Sequence, residues 1–215
     1  PVHAPFKVDL AITYGCNNEC PHCYNEPSHY PMASLSKEHW FEVINRLHEL
    51  GVPHLIFTGG EATLLDLRDL PLPLFDLELE AAQGEHPNAK AFKELLKAHA
   101  GFLIASPEHN GSYSALLKNA LDWASRRQPG EPPMAAFNGK IAAIVSASPG
   151  ALGGLRGLLN LRILLTTLGV TVLPDQLAVG GASSAFDAAG QLADAEKRQT
   201  LDRIAARLVK VAGAL

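Results

Sequence analysis

The sequence predicts an α/β protein: a three-layer, doubly wound parallel sheet with helices on both faces. Three observations carry that class. Short apolar segments recur without in–out alternation, as expected of strands buried on both faces. Amphipathic helical segments separate them. Glycine, proline or asparagine stands at most of the joins.

Taken in order, "KVDLAIT" (7–13) reads as the first strand, followed by a polar loop. "SKEHWFEVINRLHELG" reads as a helix with Ser36 as N-cap, Trp40, Val43, Ile44 and Leu47 as its apolar stripe, and Gly51 closing it. "HLIFT" (54–58) and "TLLDL" (63–67) are both strand-like, yet only "GGEA" separates them. Parallel neighbours need a crossover of about a dozen residues. The two cannot both enter the parallel order, and the short turn Gly51-Val52-Pro53 favours "HLIFT". Downstream the alternation is regular. A helix over 89–99 capped by Asn88 precedes the strand "GFLIAS" (101–106), and a helix over 113–126 precedes "KIAAIVSA" (140–147). A helix over 153–169, the strand "VTVLP" (170–174) and a helix over 194–213 complete the chain. "SRRQPGEPPMAAFNG" is a polar, proline-rich loop.

The chain has 215 residues, enough for a sizeable core, with 47% hydrophobic and 19% charged residues. A net charge of −4 gives no electrostatic grip on nucleic acid or an anionic membrane. No apolar run reaches the roughly 18 residues of a membrane span. Three clustered cysteines are a poor disulfide framework, and a reducing cytoplasmic location is expected.

Those cysteines, Cys16, Cys20 and Cys23, follow a C-x3-C-x2-C spacing in "CNNECPHCYNEP". Three thiolates on one loop suit an iron–sulfur cluster with one open iron, or a zinc ion with His22 or His29 as fourth ligand. Buried inert thiols are a third reading. Residues 6–64 resemble the opening β/α units of radical S-adenosylmethionine (SAM) enzymes, through this loop and "TGGE" (58–61) one unit later. That resemblance implies a [4Fe-4S] cluster on Cys16, Cys20 and Cys23, and SAM contacts from Gly59, Gly60 and Glu61.

Residues 62–215 resemble a different family, the flavodoxin-like NAD(P)H-dependent FMN and quinone reductases. "LLDLRDLPLPLFD" (64–76), "GFLIASPEHNGSYSALLKNALDW" (101–123), "GKIAAIVSASPGALGGLRGLLNLRILLTTLGVTVLP" (139–174) and "AVGGASSAFDAAGQLAD" (178–194) carry the likeness. It implies bound FMN, NAD(P)H as electron donor, small-molecule partners and a homodimer. It also implies that Pro107, Glu108, His109, Asn110, Gly111 and Ser112, with Ser148, Pro149, Gly150 and Gly153, border the isoalloxazine. Such loops follow strand carboxyl ends, where open α/β sheets bind ligands. His109 stands where the family has tyrosine; it can stack on the ring or sit as an exposed loop histidine. Lys118, Asn119, Asp122 and Trp123 read as packing or dimer-face residues rather than chemistry. The family's phosphate loop follows its first strand. Here the cysteines occupy that place, so weakened FMN binding is expected.

The two resemblances meet near "GGEATLLDL". The chain therefore reads as a chimera, with a radical-SAM-type first β-α-β unit over 1–64 and a flavodoxin-like segment over 65–215. The expected activity is that of a flavin oxidoreductase. The alternatives are a chimera that holds a cluster or zinc without turnover, and a radical SAM fragment.

Overall fold

The computed structural model describes residues 8–11, 61–187 and 190–214. Strands β3 (Gly101–Ala105), β4 (Ile141–Ala147) and β5 (Thr171–Val179) form a parallel sheet in the order β3-β4-β5. Gly101 pairs with Ile141 and Ala105 with Val145, while Ile141 pairs with Thr171 and Ala147 with Val179.

Five α-helices are described: α1 (Leu77–Gln83), α2 (Pro87–Ala98), α3 (Ala115–Ala124), α4 (Leu155–Thr167) and α5 (Ala195–Ala212). The side chains of β3 and β4 alternate between two cores. Phe102, Ala142 and Ile144 join Phe92 and Leu96 of α2, Leu117 and Leu121 of α3, and Leu158, Leu161 and Leu165 of α4. On the other face Leu103, Ile141 and Ala143 meet Ile204 and Leu208 of α5. Burial on both faces is why these strands read as unbroken apolar runs.

Local chemistry sets the helix starts. Ser114 caps α3 by accepting from the Leu117 N–H (3.2 Å), and Asp194 caps α5 through Glu196 and Lys197. At α2 the cap is His86, whose Nδ1 accepts from the Asn88 N–H (3.2 Å), with Pro87 in the first helical position. The expected cap, Asn88, instead donates its side-chain amide to the Pro71 carbonyl (2.8 Å).

Three further differences have physical causes. Helix α1 was hidden because it buries none of its residues and so carries no apolar stripe. Strand β5 runs past Pro174, where the sequence pattern stopped. Residues 173–175 bulge opposite Ala143, so the proline needs no ladder donor there. Arg162 bridges the bulge, donating to the Leu173 carbonyl (2.8 Å) and to Gln176 Oε1 (2.9 Å).

The third difference concerns direction. Val8–Ala11 forms β1 and Glu61–Leu64 forms β2, and the two pair antiparallel, Val8 with Leu64 and Ala11 with Glu61. The parallel partner expected for the first strand was 54–58, with the other strand-like stretch left as loop or a separate edge strand, and it is this other stretch that pairs here. A short apolar run fixes the existence of a strand but not its direction. β2 is tied to the end of α2 by a contact between Thr63 Oγ1 and His99 Nε2 (3.0 Å). The strand expected at 54–58 and the helix expected from Ser36 lie outside the described residues. No helix of the described residues is long and apolar enough to cross a membrane.

Candidate functional site

Two loops leave the carboxyl ends of neighbouring parallel strands. The first, after β3, begins at Ser106, whose N–H continues the ladder to the Val145 carbonyl (3.1 Å). It then folds into a tight two-residue turn. The His109 N–H donates to the Ser112 carbonyl (2.8 Å), and the Ser112 N–H returns to the His109 carbonyl (3.0 Å). Between them Asn110 (φ 51°) and Gly111 (φ 84°) are left-handed, which an Asn-Gly pair adopts at low cost. The Ser114 N–H closes the loop onto Ser106 Oγ (3.3 Å).

The second loop, after β4, runs from Ser148 to Gly154 and lies flat on the exit from β5. Ser148 donates to the Val179 carbonyl (3.0 Å) and accepts from the Ala182 N–H (3.1 Å). The approach is so close that a Cβ on Gly153 would stand 2.5 Å from the Gly180 nitrogen. A Cβ on Gly154 (φ 93°) would stand 1.7 Å from Ser146 Oγ. That hydroxyl is buried and has no hydrogen-bond partner among the described residues.

Helix α4 joins the loops. Its N-cap, Gly154, has no side chain to satisfy the first helical N–H groups. Glu108 does so from the other loop: the Gly157 N–H donates to its Oε2 (3.1 Å), while Arg156 Nε donates to Oε1 (3.0 Å). The Arg156 guanidinium holds the Glu108 carboxyl below the usual carboxylate range, and the Gly157 N–H adds to this. One turn on, Asn160 Nδ2 donates to the Gly111 carbonyl (2.9 Å). Gly157 permits the contact, since a Cβ there would stand 3.0 Å from the Ser112 carbonyl oxygen.

The ten residues expected to border a flavin ring thus fall on these two loops. Nothing lies within 4 Å of where a Cβ would stand on Gly111 or Gly150, so both loops offer open backbone to a flat ligand. Sequence reading missed Arg156, Gly157 and Asn160. Their signal was the glycine inside "LRGLLN", which costs helix stability unless something packs against it. Asn119 and Trp123 serve packing. Both donate to the Pro73 carbonyl (2.9 Å each), Asn119 also accepts from the Phe75 N–H (2.8 Å), and Phe75 meets Trp123 edge-on at 5.1 Å. Lys118 pairs with Asp122 on the same helix.

Cys16, Cys20, Cys23, Gly59 and Gly60 lie outside the described residues, and Glu61 opens β2. Among the described residues no group of three or more His, Cys, Asp or Glu side chains could hold a metal ion.

A parallel sheet with helices on both faces and glycine-bearing loops at the carboxyl ends of neighbouring strands fits the flavodoxin-like class. The family model for NADPH-dependent FMN reductases matches residues 33–184, and the chain belongs to that family. An NAD(P)H-dependent FMN reductase of Pseudomonas aeruginosa is 37% identical over 150 residues, 69% of this chain and 77% of that protein. A quinone reductase of Pseudomonas putida is 36% identical over 166 residues, 76% of this chain and 82% of that protein. The flavoenzyme FerB of Paracoccus denitrificans shares the fold, with TM-score 0.61 at 24% identity over 85% of this chain and 93% of its own.

The family match begins at residue 33, inside the stretch that resembled radical SAM enzymes. Neither the comparisons nor the described residues support the radical SAM unit, its cluster or its SAM contacts. The family match extends across the expected join near residue 64.

Proposed function

We propose that this chain is a flavin-dependent NAD(P)H oxidoreductase that passes electrons to a quinone or a free flavin. The isoalloxazine lies between Pro107–Ser112 and Ser148–Gly154, the latter including Ser148, Pro149, Gly150 and Gly153. One observation carries the reading. Two loops with open glycine backbone, Gly111 and Gly150, leave adjacent parallel strands in the family to which the chain belongs. FMN, when bound, would supply a carrier that takes a hydride from NAD(P)H and a proton from water and passes two electrons and two protons to the acceptor.

The chain's own part is positional. Gly111 and Gly150 let the backbone approach a flat ring, and the exposed His109 imidazole stands at the rim as a stacking face or hydrogen-bond donor. The stretch expected to meet the FMN phosphate lies outside the described residues. Titration of the purified protein with FMN, read by flavin fluorescence, followed by NAD(P)H oxidation with a quinone, tests the reading. Saturable quenching and quinone-dependent oxidation are expected; absence of both overturns it.

The working unit is a homodimer. Leu152, Leu155, Leu159 and Ile163 are 54%, 37%, 50% and 66% exposed along one side of α4 and the loop before it. A contiguous exposed apolar stripe of this kind fits a two-fold interface.

A second reading, carried by the C-x3-C-x2-C spacing alone, gives Cys16, Cys20 and Cys23 a [4Fe-4S] cluster or zinc.

A further inference from the structure

Glu108 belongs to the loop expected to border the flavin, and its carboxylate is turned onto the first turn of α4. Its side chain is 7% exposed, and both oxygens are engaged by α4: Oε1 by the Arg156 guanidinium, Oε2 by the Gly157 N–H. The two anchors differ in kind. Gly157 is a helix N-terminal donor that Gly154 cannot satisfy, so the carboxylate takes the place of a missing cap and meets the positive end of the helix. Arg156 is 64% exposed and closes over the carboxylate from the solvent side.

We propose that Glu108 is a positioning residue: it holds the 107–112 turn against the first turn of α4 and thereby sets the gap that receives the isoalloxazine. The inference rests on the flavin reading above. The fit along this seam is close. The Ser112 carbonyl lies against Gly157, Asn160 donates to the Gly111 carbonyl, and the Glu108 Cβ lies 3.5 Å from where a Cβ would stand on Gly157. The turn is therefore pressed onto the helix along its length, and Glu108 supplies the charged tie at one end. A second consequence follows. The α4 N-terminus is already filled by the chain's own carboxylate, so an incoming phosphate finds that anion seat taken.

The test compares Glu108→Ala, Glu108→Gln and Arg156→Met with the natural chain. Three quantities are measured: the FMN dissociation constant by fluorescence quenching, the absorption spectrum of bound flavin, and Tm. Glu108→Ala is expected to weaken FMN binding about tenfold, the scale of one charge-assisted hydrogen bond, and to change the bound-flavin spectrum. Glu108→Gln keeps a carbonyl acceptor for the Gly157 N–H and should recover part of the loss. Arg156→Met should fall between them. If Glu108→Ala lowers Tm but binds FMN with unchanged affinity and spectrum, Glu108 is only a helix cap and the proposal fails. If the natural chain itself binds no FMN, the flavin reading fails and takes this inference with it.

Discussion

Lys93 Nζ lies 2.5 Å from Glu131 Oε2, and the lysine side chain is 2% exposed. The pair pins the proline-rich loop before β4 to α2. Lys93 also donates to the Arg126 carbonyl and reaches Glu85 at 3.4 Å, and Lys97 meets Glu131 Oε1 at 3.2 Å. Chiefly through the Lys93 hydrogen bond, the Glu131 carboxyl is lowered to about 2 from an ordinary 4.5. A carboxyl depressed in the folded state stabilises it above the unfolded value and stops doing so as pH falls through the folded one. The contribution, about 3 kcal/mol at neutral pH, should thus fade between pH 4.5 and about 2. Glu131→Gln should lower stability at pH 7 by about 2–3 kcal/mol. Urea unfolding across this range checks the sign: the gap between variant and natural chain should close towards pH 2. A gap independent of pH would contradict the assignment.

Gly154 and Ser146 make a second, sterically opposite case. Gly154→Ala must fit a Cβ 1.7 Å from Ser146 Oγ and 2.8 Å from Ser146 Cβ, at φ 93°. Backbone strain and overpacking together should cost about 2–4 kcal/mol. Ser146→Ala removes a buried hydroxyl that has no partner among the described residues, so stability should stay level or rise by about 1 kcal/mol. The double variant should stay well below the natural chain, because the Cβ contact and the positive φ remain. Chemical denaturation of the three variants separates these outcomes; full recovery in the double variant would mean that the hydroxyl alone excludes a side chain.

The strands and long helices were legible because their residues bury on a repeating pattern. Ile141 and Ala143 face α5 while Ala142 and Ile144 face α4, which reads as one apolar run. What stayed hidden was whatever depends on partners far along the chain. Glu108 caps α4 from 49 residues away, and no local pattern announces it. Asn88 was a good cap by type, but the Pro71 carbonyl claimed its side chain and His86 took the role. Pro174 looked like a strand end because its bulge forms only against Ala143 of β4. The two glycine-bearing loops after β3 and β4 were readable from the sequence; the Glu108 clamp that joins them was not.

The cysteine loop makes a prediction independent of the flavin. If Cys16, Cys20 and Cys23 ligate a cluster, anaerobic iron and sulfide should produce broad visible absorbance. Changing all three to alanine should abolish it. FMN titration of the same variant gives a second readout, because the cysteines stand where the family's phosphate loop is expected. A natural chain that stays colourless after reconstitution would remove the cluster, and zinc analysis would then decide between a metal and inert thiols.

Helix α4 presents two apolar faces with different fates. Leu158, Leu161 and Leu165 are fully buried in the core, whereas Leu155, Leu159 and Ile163 remain 37–66% exposed. Lysines at 159 and 163 would therefore leave the core untouched but place two like charges on each copy of the proposed two-fold interface. Leu159→Lys with Ile163→Lys should convert a dimer to a monomer in sedimentation velocity. The isolated fold should lose within about 0.5 kcal/mol, as surface substitutions do. FMN affinity provides the second readout, since the stripe begins at Leu152, within the loop that borders the proposed ring. A natural chain that sediments as a monomer at micromolar concentration would leave the stripe without its assigned occupant and overturn the dimer.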